Sequence, residues 1–257
     1  MTRSPTRSVM VWGASSGAGK SLLTTALCRW AARQGVRVAP FKAQNMSNNA
    51  RVVPGLGGSF GEIGTAQYLQ ALAARVAPSV DMNPVLLKPE RDTASQVVVQ
   101  GRVDDALTRL PWRERSAALA VAARQSFERL AGVHDLIVIE GAGSPAEINL
   151  APLDYVNLGT ARWAREAGPI AALLVADIDR GGAFAHLYGT WALLPDDLKP
   201  SLAGFVLNKF RGDASLLAPG PELLQALTGV PLLGVVPMRR DHGLPDEDGV
   251  FMSVSST

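Results

Sequence analysis

The chain has 257 residues, of which 47% are hydrophobic and 19% charged, and its formal net charge is +2. A chain of this length can bury a large core, and the composition is typical of a globular protein. No apolar run approaches the roughly 20 residues that span a membrane, and no Lys/Arg cluster is interleaved with aromatic residues, so neither a membrane nor a nucleic acid is an expected partner. Residues 1–8 lead into no secretory pattern, and the expected location is the cytoplasm.

Cys28 is the only cysteine in the sequence. A disulfide within the chain and a cysteine-rich zinc site are therefore excluded. Cys28 lies in an apolar helical pattern, which indicates a small buried side chain rather than a nucleophile. The three histidines are widely scattered and show no metal-ligand spacing.

The predicted elements alternate between short apolar strands and amphipathic helices. Strands are predicted, in chain order, over 8–12, 36–41, 96–100, 135–140, 170–176, 202–208 and 232–236, and helices over 20–33, 63–76, 113–131, 157–166, 183–194 and 221–228. Near-continuous apolar strands indicate parallel strands that are buried on both faces. The pattern predicts an α/β fold with a doubly wound, mainly parallel sheet in three αβα layers, and ligands beyond the carboxyl ends of the strands. We place one domain over 1–240 and a tail without periodicity over 241–257.

A glycine-rich loop, GASSGAGKS from Gly13 to Ser21, joins the first predicted strand to the first helix. Backbone N–H groups of small residues can turn inward around a phosphate, and the following helix presents its positive dipole end to the same oxygens. Lys20 is expected to reach the β- and γ-phosphates, and the Ser21 hydroxyl to ligate Mg²⁺. The loop therefore predicts a P-loop NTPase whose nucleotide contacts are Gly13, Ser16, Gly17, Ala18, Gly19, Lys20, Ser21 and Leu22.

Polar residues lie where other predicted elements begin or end. Glu140 ends a buried apolar strand, where P-loop proteins place a carboxylate linked to Mg²⁺, and a buried Glu needs a partner. Glu62 is predicted to open a helix, where the helix dipole alone favours a carboxylate; the alternative is a second acid on Mg²⁺. Asp177 suits a charged ligand or caps a turn, and Asn208 suits the edge of adenine or an ordinary turn.

A further polar run follows the second predicted strand. Lys42 could contact a substrate carboxylate or the transferred phosphoryl group. The amides of Gln44, Asn45, Asn48 and Asn49 offer many donors and acceptors to a polar substrate, although Asn is also common in loops for backbone reasons. Both interpretations of the amides stay open.

Seven blocks carry a family resemblance: QNMSNN at 44–49, EIG with AQ at 62–67, DMNPVLLKPE at 81–90, QVVVQG at 96–101, EGAGSPAEINL at 140–150, DIDRGG at 177–182 and NKFRGD at 208–213. Together they resemble the amidoligase part of the cobyric acid synthase family of cobalamin biosynthesis. The six-residue step from Gly13 to Gly19 is similar to that of dethiobiotin synthetase, which has a related fold and mechanism.

The resemblance implies a dethiobiotin-synthetase-like P-loop fold and site roles, with ATP and Mg²⁺ as cofactors. Ser21, Glu62 and Glu140 would hold Mg²⁺, and Asn208 would recognise the nucleobase. Lys20, Lys42 and Asp177 would be the catalytic residues. The expected substrate contacts are Gln44, Asn45, Asn48, Asn49 and Lys88.

The implied reaction is ATP-dependent amidation through acyl phosphates. In the family, four peripheral carboxylates of the corrinoid adenosylcobyrinic acid a,c-diamide are amidated to give adenosylcobyric acid, with glutamine as nitrogen donor. Family members continue into a glutaminase domain with a Cys nucleophile, and Cys28 matches no such motif. We interpret residues 241–257 as the start of that domain and expect ammonia from it, from a separate subunit or from solution. A homodimer is also considered.

Two other functions stay open at this point. One is an ATP-dependent carboxylase of a small diamine, similar to dethiobiotin synthetase. The other is an ATP-binding module without catalysis. The carboxylase shares the loop and the magnesium acids but does not explain the amide-rich run at 44–49.

Overall fold

The computed structural model describes residues 5–91 and 94–244. Its strands, in chain order, are β1 (Arg7–Gly13), β2 (Val38–Phe41), β3 (Gln44–Met46), β4 (Ala50–Pro54), β5 (Phe60–Gly64), β6 (Val85–Arg91), β7 (Ala94–Val99), β8 (Arg102–Val103), β9 (Leu136–Glu140), β10 (Ile170–Asp177), β11 (Leu202–Phe210) and β12 (Leu232–Pro237). Its α-helices are α1 (Lys20–Arg33), α2 (Thr65–Ala74), α3 (Asp105–Arg109), α4 (Trp112–Val133), α5 (Thr160–Ala167), α6 (Ala183–Leu193) and α7 (Gly220–Thr228).

Six strands form the main sheet, in the order β12-β11-β10-β1-β9-β2, and all neighbours in it are parallel. The chain passes from β9 on one side of β1 to β10 on the other, so the strand order reverses at β1. Ligands of open α/β sheets bind outside the carboxyl ends of the strands at such a reversal. The glycine-rich loop follows β1 directly and therefore lies at that point.

The main sheet is covered on both faces, as its apolar strands predict. Met10 and Trp12 belong to a large core that includes residues of α4, α5 and α6, whereas Val11 packs with residues of α1 on the other face. Successive side chains of a strand point to opposite faces, so an uninterrupted apolar strand feeds two cores at once. The predicted doubly wound sheet with helices on both sides is confirmed.

A smaller sheet, in the order β3-β6-β7-β8, and the antiparallel pair β4-β5 were not predicted. The expected strand at 96–100 falls in β7, which pairs antiparallel with β6 instead of joining the main sheet. These strands are short or mix polar residues with apolar ones, so they lack the continuous apolar run that marks a buried parallel strand. All of them lie between β2 and α3 in the chain.

The predicted start of the helix at 63–76 is wrong. Glu62 and Ile63 belong to β5 and pair with Val52 and Arg51 of β4, and α2 begins only at Thr65. The apolar residues here suit one face of a hairpin as well as a helix, and the cross-strand pairing decides between them. Glu62 therefore does not open a helix.

Within the described residues, no helix is long and apolar enough to cross a membrane. Of the predicted tail, residues 245–257 lie outside the described part of the chain. The proposed boundary at 240 stays a prediction.

Candidate functional site

The glycine-rich loop has backbone geometry that only small residues allow. Gly17 and Gly19 have φ angles of 69° and 98°, in the left-handed region that favours glycine. A Cβ atom on Gly13 would lie 2.8 Å from the Ser15 carbonyl oxygen and 2.9 Å from Lys20 Nζ. The predicted loop thus forms a tight turn around the lysine side chain.

Lys20 is enclosed in this loop, with 1% of its surface exposed. Its ammonium group donates to the Ser15 carbonyl oxygen at 3.1 Å and to the Gly143 carbonyl oxygen at 3.2 Å. The lysine therefore joins the loop after β1 to the loop after β9. Both loops lie at the carboxyl edge of the main sheet.

The side chain of Glu140 lies at the centre of the site and is fully buried. One carboxylate oxygen, Oε1, accepts from the Ser21 hydroxyl at 2.9 Å and from Lys42 Nζ at 2.7 Å. The other, Oε2, accepts from the amide nitrogen of Gln70 at 2.5 Å. Three groups from different parts of the chain thus satisfy the buried charge that the sequence predicted to need a partner.

Strand periodicity explains why these groups meet. Val38 and Val138 pack in one core on the α1 side of the sheet, and every second residue along each strand shares that face. Lys42 and Glu140 stand at that spacing, so they turn towards α1, which carries Ser21. The same parity links Val175 to Asp177 and Val206 to Asn208.

Glu62, the second predicted magnesium acid, contacts a different part of the chain. It belongs to β5, and its carboxylate forms an ion pair with Lys88 of β6. Lys88, a predicted substrate residue, is thus paired with a predicted metal ligand. Of the three predicted magnesium ligands, Ser21 and Glu140 are in contact, whereas Glu62 is paired with Lys88 of the smaller sheet.

The amides predicted to contact substrate also lie with the smaller sheet. The Gln44 side chain accepts from the Tyr155 hydroxyl at 2.6 Å, and Asn48 donates to the Pro89 carbonyl oxygen at 3.1 Å. Asn45 lies close to Gly64, where an added Cβ would be 2.4 Å from its amide nitrogen. The Asn49 carbonyl oxygen accepts from the backbone N–H of Thr65 at 2.9 Å.

A cleft of about 270 Å³ opens beside the phosphate loop. Its lining residues are Gly17, Gly19, Ser21, Leu22, Arg180, Asn208, Lys209, Met238, Arg239, His242 and Leu244. Of the other predicted loop contacts, Ala18 is buried and Ser16 is exposed. A lining that combines glycine, hydroxyl and cationic groups with apolar side chains suits a nucleotide.

Asn208 is held against the phosphate loop in this cleft. Its amide nitrogen donates to the Ala18 carbonyl oxygen at 2.9 Å, and its Oδ1 atom is buried with no hydrogen-bond partner among the described residues. A Cβ on Gly19 would lie 1.9 Å from the Asn208 amide nitrogen. An unpaired amide oxygen fits an amino group of a nucleobase, which donates hydrogen bonds.

Asp177, predicted to be catalytic, is surrounded by positive charge. Its carboxylate lies 2.9 Å from Lys209 Nζ and 3.3 Å from Arg180 Nε, and it also accepts from the backbone N–H of Asp179 at 3.0 Å. The residue thus caps the turn after β10, which is the second of its two predicted interpretations. A catalytic role for Asp177 stays a prediction.

The sequence interpretation missed Gln70, Asn157 and Asn83, all of which are buried. Asn157 holds the loop after β9 by accepting from the Ala142 N–H at 3.1 Å and donating to the Ala142 carbonyl oxygen at 2.7 Å. Gln67 and Gln70 are spaced three residues apart on α2 beside Ala71 and Ala74, and polar residues at this helical spacing are the signal that could have indicated Gln70. The partners of Asn157 and Asn83 depend on the packing of distant segments.

The donors present fit both expected cofactors. Among the described residues, no group of three or more His, Cys, Asp or Glu side chains could hold a metal. Mg²⁺ prefers oxygen ligands and usually takes only one or two carboxylates beside phosphate and water. Ser21 and Glu140 supply a hydroxyl and a carboxylate of that kind, and the glycine loop supplies the adjoining phosphate cradle.

Comparisons with known proteins agree with this arrangement. Residues 9–249 match the family described as CobQ/CobB/MinD/ParA nucleotide binding domain. The chain is 66% identical over 256 residues to cobyric acid synthase of Leptothrix cholodnii, covering 98% of this chain and 49% of that protein. It is 67% identical over 249 residues to cobyric acid synthase of Methylibium petroleiphilum, covering 97% and 48%. The chain thus spans about half the length of the curated relatives it matches.

Solved structures bear on the fold alone. Chloroplast FtsY from Physcomitrella patens has a TM-score of 0.51 and 16% identity, covering 91% of this chain and 59% of that one. The cell division protein FtsY of Thermotoga maritima has a TM-score of 0.50 and 18% identity, covering 93% and 64%. With the phosphate loop at the reversal of the strand order and the family match along nearly the whole sequence, the chain belongs to the CobQ/CobB/MinD/ParA nucleotide-binding domain family.

Proposed function

We propose that this chain activates carboxylates of a corrinoid for amidation at the expense of ATP. The observation that carries the proposal is the enclosed contact of Glu140 with Ser21 and Lys42, beside the phosphate loop. Phosphoryl transfer to a carboxylate needs an acid that can hold a metal ion, a loop hydroxyl and a second lysine beside the cradle for the triphosphate. The name shared by the relatives, of which this chain spans about half the length, supports the same chemistry.

The reaction proceeds in two displacements. A carboxylate does not react readily with ammonia, because its leaving group would be oxide. Attack of a carboxylate oxygen on the γ-phosphorus of ATP releases ADP and forms an acyl phosphate. Ammonia then attacks the acyl carbon, phosphate leaves with the electron pair of the broken C–O bond, and one proton is lost to give the amide.

The chain's own residues bind and orient the reactants. The backbone of the loop and Lys20 hold the phosphates, and Ser21 and Glu140 would hold Mg²⁺, which when bound neutralises charge on them. Lys42 is adjacent to Glu140 and would orient the attacking carboxylate or stabilise the charge on the transferred phosphoryl group. Asn208 would contact the base. Glu62 as a second metal acid and Asp177 as a catalytic group belong to the same proposal.

The proposed substrate is adenosylcobyrinic acid a,c-diamide, and the product after four amidations is adenosylcobyric acid. The substrate contacts would be Gln44, Asn45, Asn48, Asn49 and Lys88. Nitrogen would come from glutamine through a glutaminase domain or subunit, or directly from ammonium. The cytoplasm is the proposed location.

Phosphate release tests the proposal. The 257-residue chain is incubated with ATP, Mg²⁺, ammonium and cobyrinic acid a,c-diamide, and phosphate and amidated corrinoid are measured together. We expect both products, with one phosphate released for each amide formed, only when all four components are present. A parallel reaction with bicarbonate and a diamine tests the carboxylase alternative. ATP binding without phosphate release in either reaction would contradict the proposal and favour a binding module.

A further inference from the structure

Arg115 is a buried cation without a counter-ion among the described residues. It lies in the first turn of α4, and only 9% of its surface is exposed. Its guanidinium makes no hydrogen bond or ion pair with any residue in the described ranges 5–91 and 94–244. A charged group removed from water without a partner is costly, so Arg residues are almost never buried in this way.

The tip of the side chain is still reachable. The Nε atom of Arg115 is fully enclosed, whereas its two terminal nitrogens are not among the enclosed unpartnered atoms. Guanidinium nitrogens are fixed donors in a plane, and they match the two oxygens of a carboxylate. The chemistry of Arg115 thus fits an anion that arrives from outside the chain.

The topology places Arg115 on the same side of the molecule as Glu140. Thr6, which precedes β1, donates through its hydroxyl to the carbonyl oxygens of Ala131 and His134 at 2.6 and 3.0 Å, so the end of α4 lies at the amino edge of the main sheet. The helix has 22 residues and β9 has five. At about 1.5 Å per helical residue and about 3.3 Å per strand residue, the start of α4 extends roughly 15 Å past the carboxyl end of β9.

The segment that contains Tyr155 connects α4 to the amide-rich run at 44–49. Helix α4 packs against the segment Tyr155–Gly159, and the positive charge of Arg115 opposes the rise that burial causes in the pKa of the Tyr155 phenol. The Tyr155 hydroxyl donates to the Gln44 amide oxygen at 2.6 Å. That bond turns the Gln44 amide nitrogen away from Tyr155 and leaves it as a donor.

We propose that Arg115 and Gln44, with Tyr155 between them, form a subsite for a carboxylate of the substrate other than the one that reacts. This inference rests on the proposed function, in which the substrate carries several peripheral carboxylates. Arg115 neutralises one of them, Gln44 donates a further hydrogen bond, and Tyr155 holds the Gln44 amide in its donating orientation. The substrate would supply the counter-ion that Arg115 lacks within the described part of the chain.

Arg115→Met tests the subsite, with Arg113→Met as the matched control. Arg113 is exposed and lies in the same helical turn. The KM for cobyrinic acid a,c-diamide should rise about 10- to 100-fold in Arg115→Met, the loss expected for a hydrogen-bonded charge, with little change in the affinity for ATP. The melting temperature should stay the same or rise, because an unpaired buried charge is removed. Arg113→Met should leave all three quantities unchanged.

Two results would overturn the inference. One is a KM for the corrinoid within twofold of wild type; the other is a fall in melting temperature together with weaker binding of both ligands, which indicates a structural role. If Arg115→Met does not fold, Arg115→Gln, which keeps polar donors but loses the charge, is measured against the same criteria.

A second probe separates this inference from the proposed function. Tricarballylate, a small molecule with three carboxylates, should raise the melting temperature of the wild-type chain at millimolar concentration but not that of Arg115→Met. If the corrinoid fails to bind but the rise in melting temperature caused by tricarballylate still depends on Arg115, the proposed substrate is wrong and the carboxylate subsite stands. An equal response of both proteins to tricarballylate would refute the subsite.

Discussion

Lys42 and Glu140 form an enclosed ion pair at the carboxyl ends of neighbouring strands, with Nζ 2.7 Å from Oε1. The register of β2 and β9 pairs Phe41 with Ile139, so the next residue of each strand stands opposite the other. Removing one member of a buried ion pair leaves the other charge uncompensated, which is more costly than the loss of a surface pair. The loss of either partner is therefore expected to destabilise the fold.

Glu140→Gln should lower the free energy of unfolding by about 3 kcal/mol, because Lys42 remains buried without a carboxylate. It should also weaken the dependence of nucleotide binding on Mg²⁺. Chemical denaturation and a Mg²⁺ titration measure the two effects. Glu166→Gln, which breaks an exposed ion pair with Arg124, is the control and should change neither by much. If the Mg²⁺ titration curve of Glu140→Gln matched that of the wild type, Glu140 would not be a metal ligand.

Lys20→Ala should abolish ATP binding or reduce it below detection. The change removes a side chain that joins the phosphate loop to the loop after β9, together with its positive charge. Isothermal calorimetry with ATP and Mg²⁺ is the measurement. Lys199→Ala, which removes a lysine paired with Asp196, serves as the control. Unchanged affinity in Lys20→Ala would refute the assignment of the loop.

Gln70→Met should reduce the Mg²⁺-dependent gain in nucleotide affinity by about tenfold, the loss expected for one hydrogen bond to a charged group. Methionine keeps the approximate volume of the side chain but cannot donate to Glu140. Gln67→Met is a closely matched control, because Gln67 lies on the same helix, is equally buried and has both amide atoms unpartnered among the described residues. Calorimetry with and without EDTA separates the metal-dependent part. Equal losses in both variants would contradict a positioning role for Gln70.

Gly19→Ala should weaken nucleotide binding at least tenfold. A methyl group there would collide with the Asn208 amide, and the backbone conformation of Gly19 disfavours any side chain. Gly35→Ala is the control for the effect of the backbone conformation alone, because Gly35 also has a positive φ but nothing lies within 4 Å of its added Cβ. The control should lose about 1 kcal/mol of stability and retain its affinity for ATP. Similar affinities in the two variants would show that the contact with Asn208 is unimportant.

Cys28 should resist alkylation in the folded chain. Burial raises the pKa of its thiol, and the negative charge of Glu140 acts in the same direction, so the reactive thiolate is scarce at neutral pH. Mass spectrometry after iodoacetamide treatment should detect modification only in denaturant. The same inertness predicts that ammonium, and not glutamine, supports turnover by this chain. Glutamine-supported amidation by the purified chain would refute the second expectation.

The sequence predicted the groups whose positions depend on the strands themselves. Glu140, Asp177 and Asn208 end apolar runs or lie near their ends, and parallel strands bring such positions to one edge. Strand periodicity then places all three on the α1 face. The link between Ser21 and Glu140 could thus be predicted before any distance was known.

What could not be predicted depends on contacts between segments far apart in the chain. Gln70 reaches Glu140 across 70 residues, and Tyr155 reaches Gln44 across 111. The smaller sheet was missed because its short strands mix polar and apolar residues, so neither period stands out. The sequence predicted that Glu62 opens a helix, because the hairpin that contains Glu62 can be recognised only from its pairing with β4.

Asn83 connects the two sheets through a single side chain. Its amide oxygen accepts from the Gly64 N–H at 3.0 Å, and its amide nitrogen donates to the carbonyl oxygens of Lys42 at 3.1 Å and Val85 at 2.9 Å. The end of the main-sheet strand that precedes Lys42, the hairpin and the smaller sheet therefore share one junction. One amide thus fixes the backbone of Lys42, the ion-pair partner of Glu140, relative to both the hairpin and the smaller sheet.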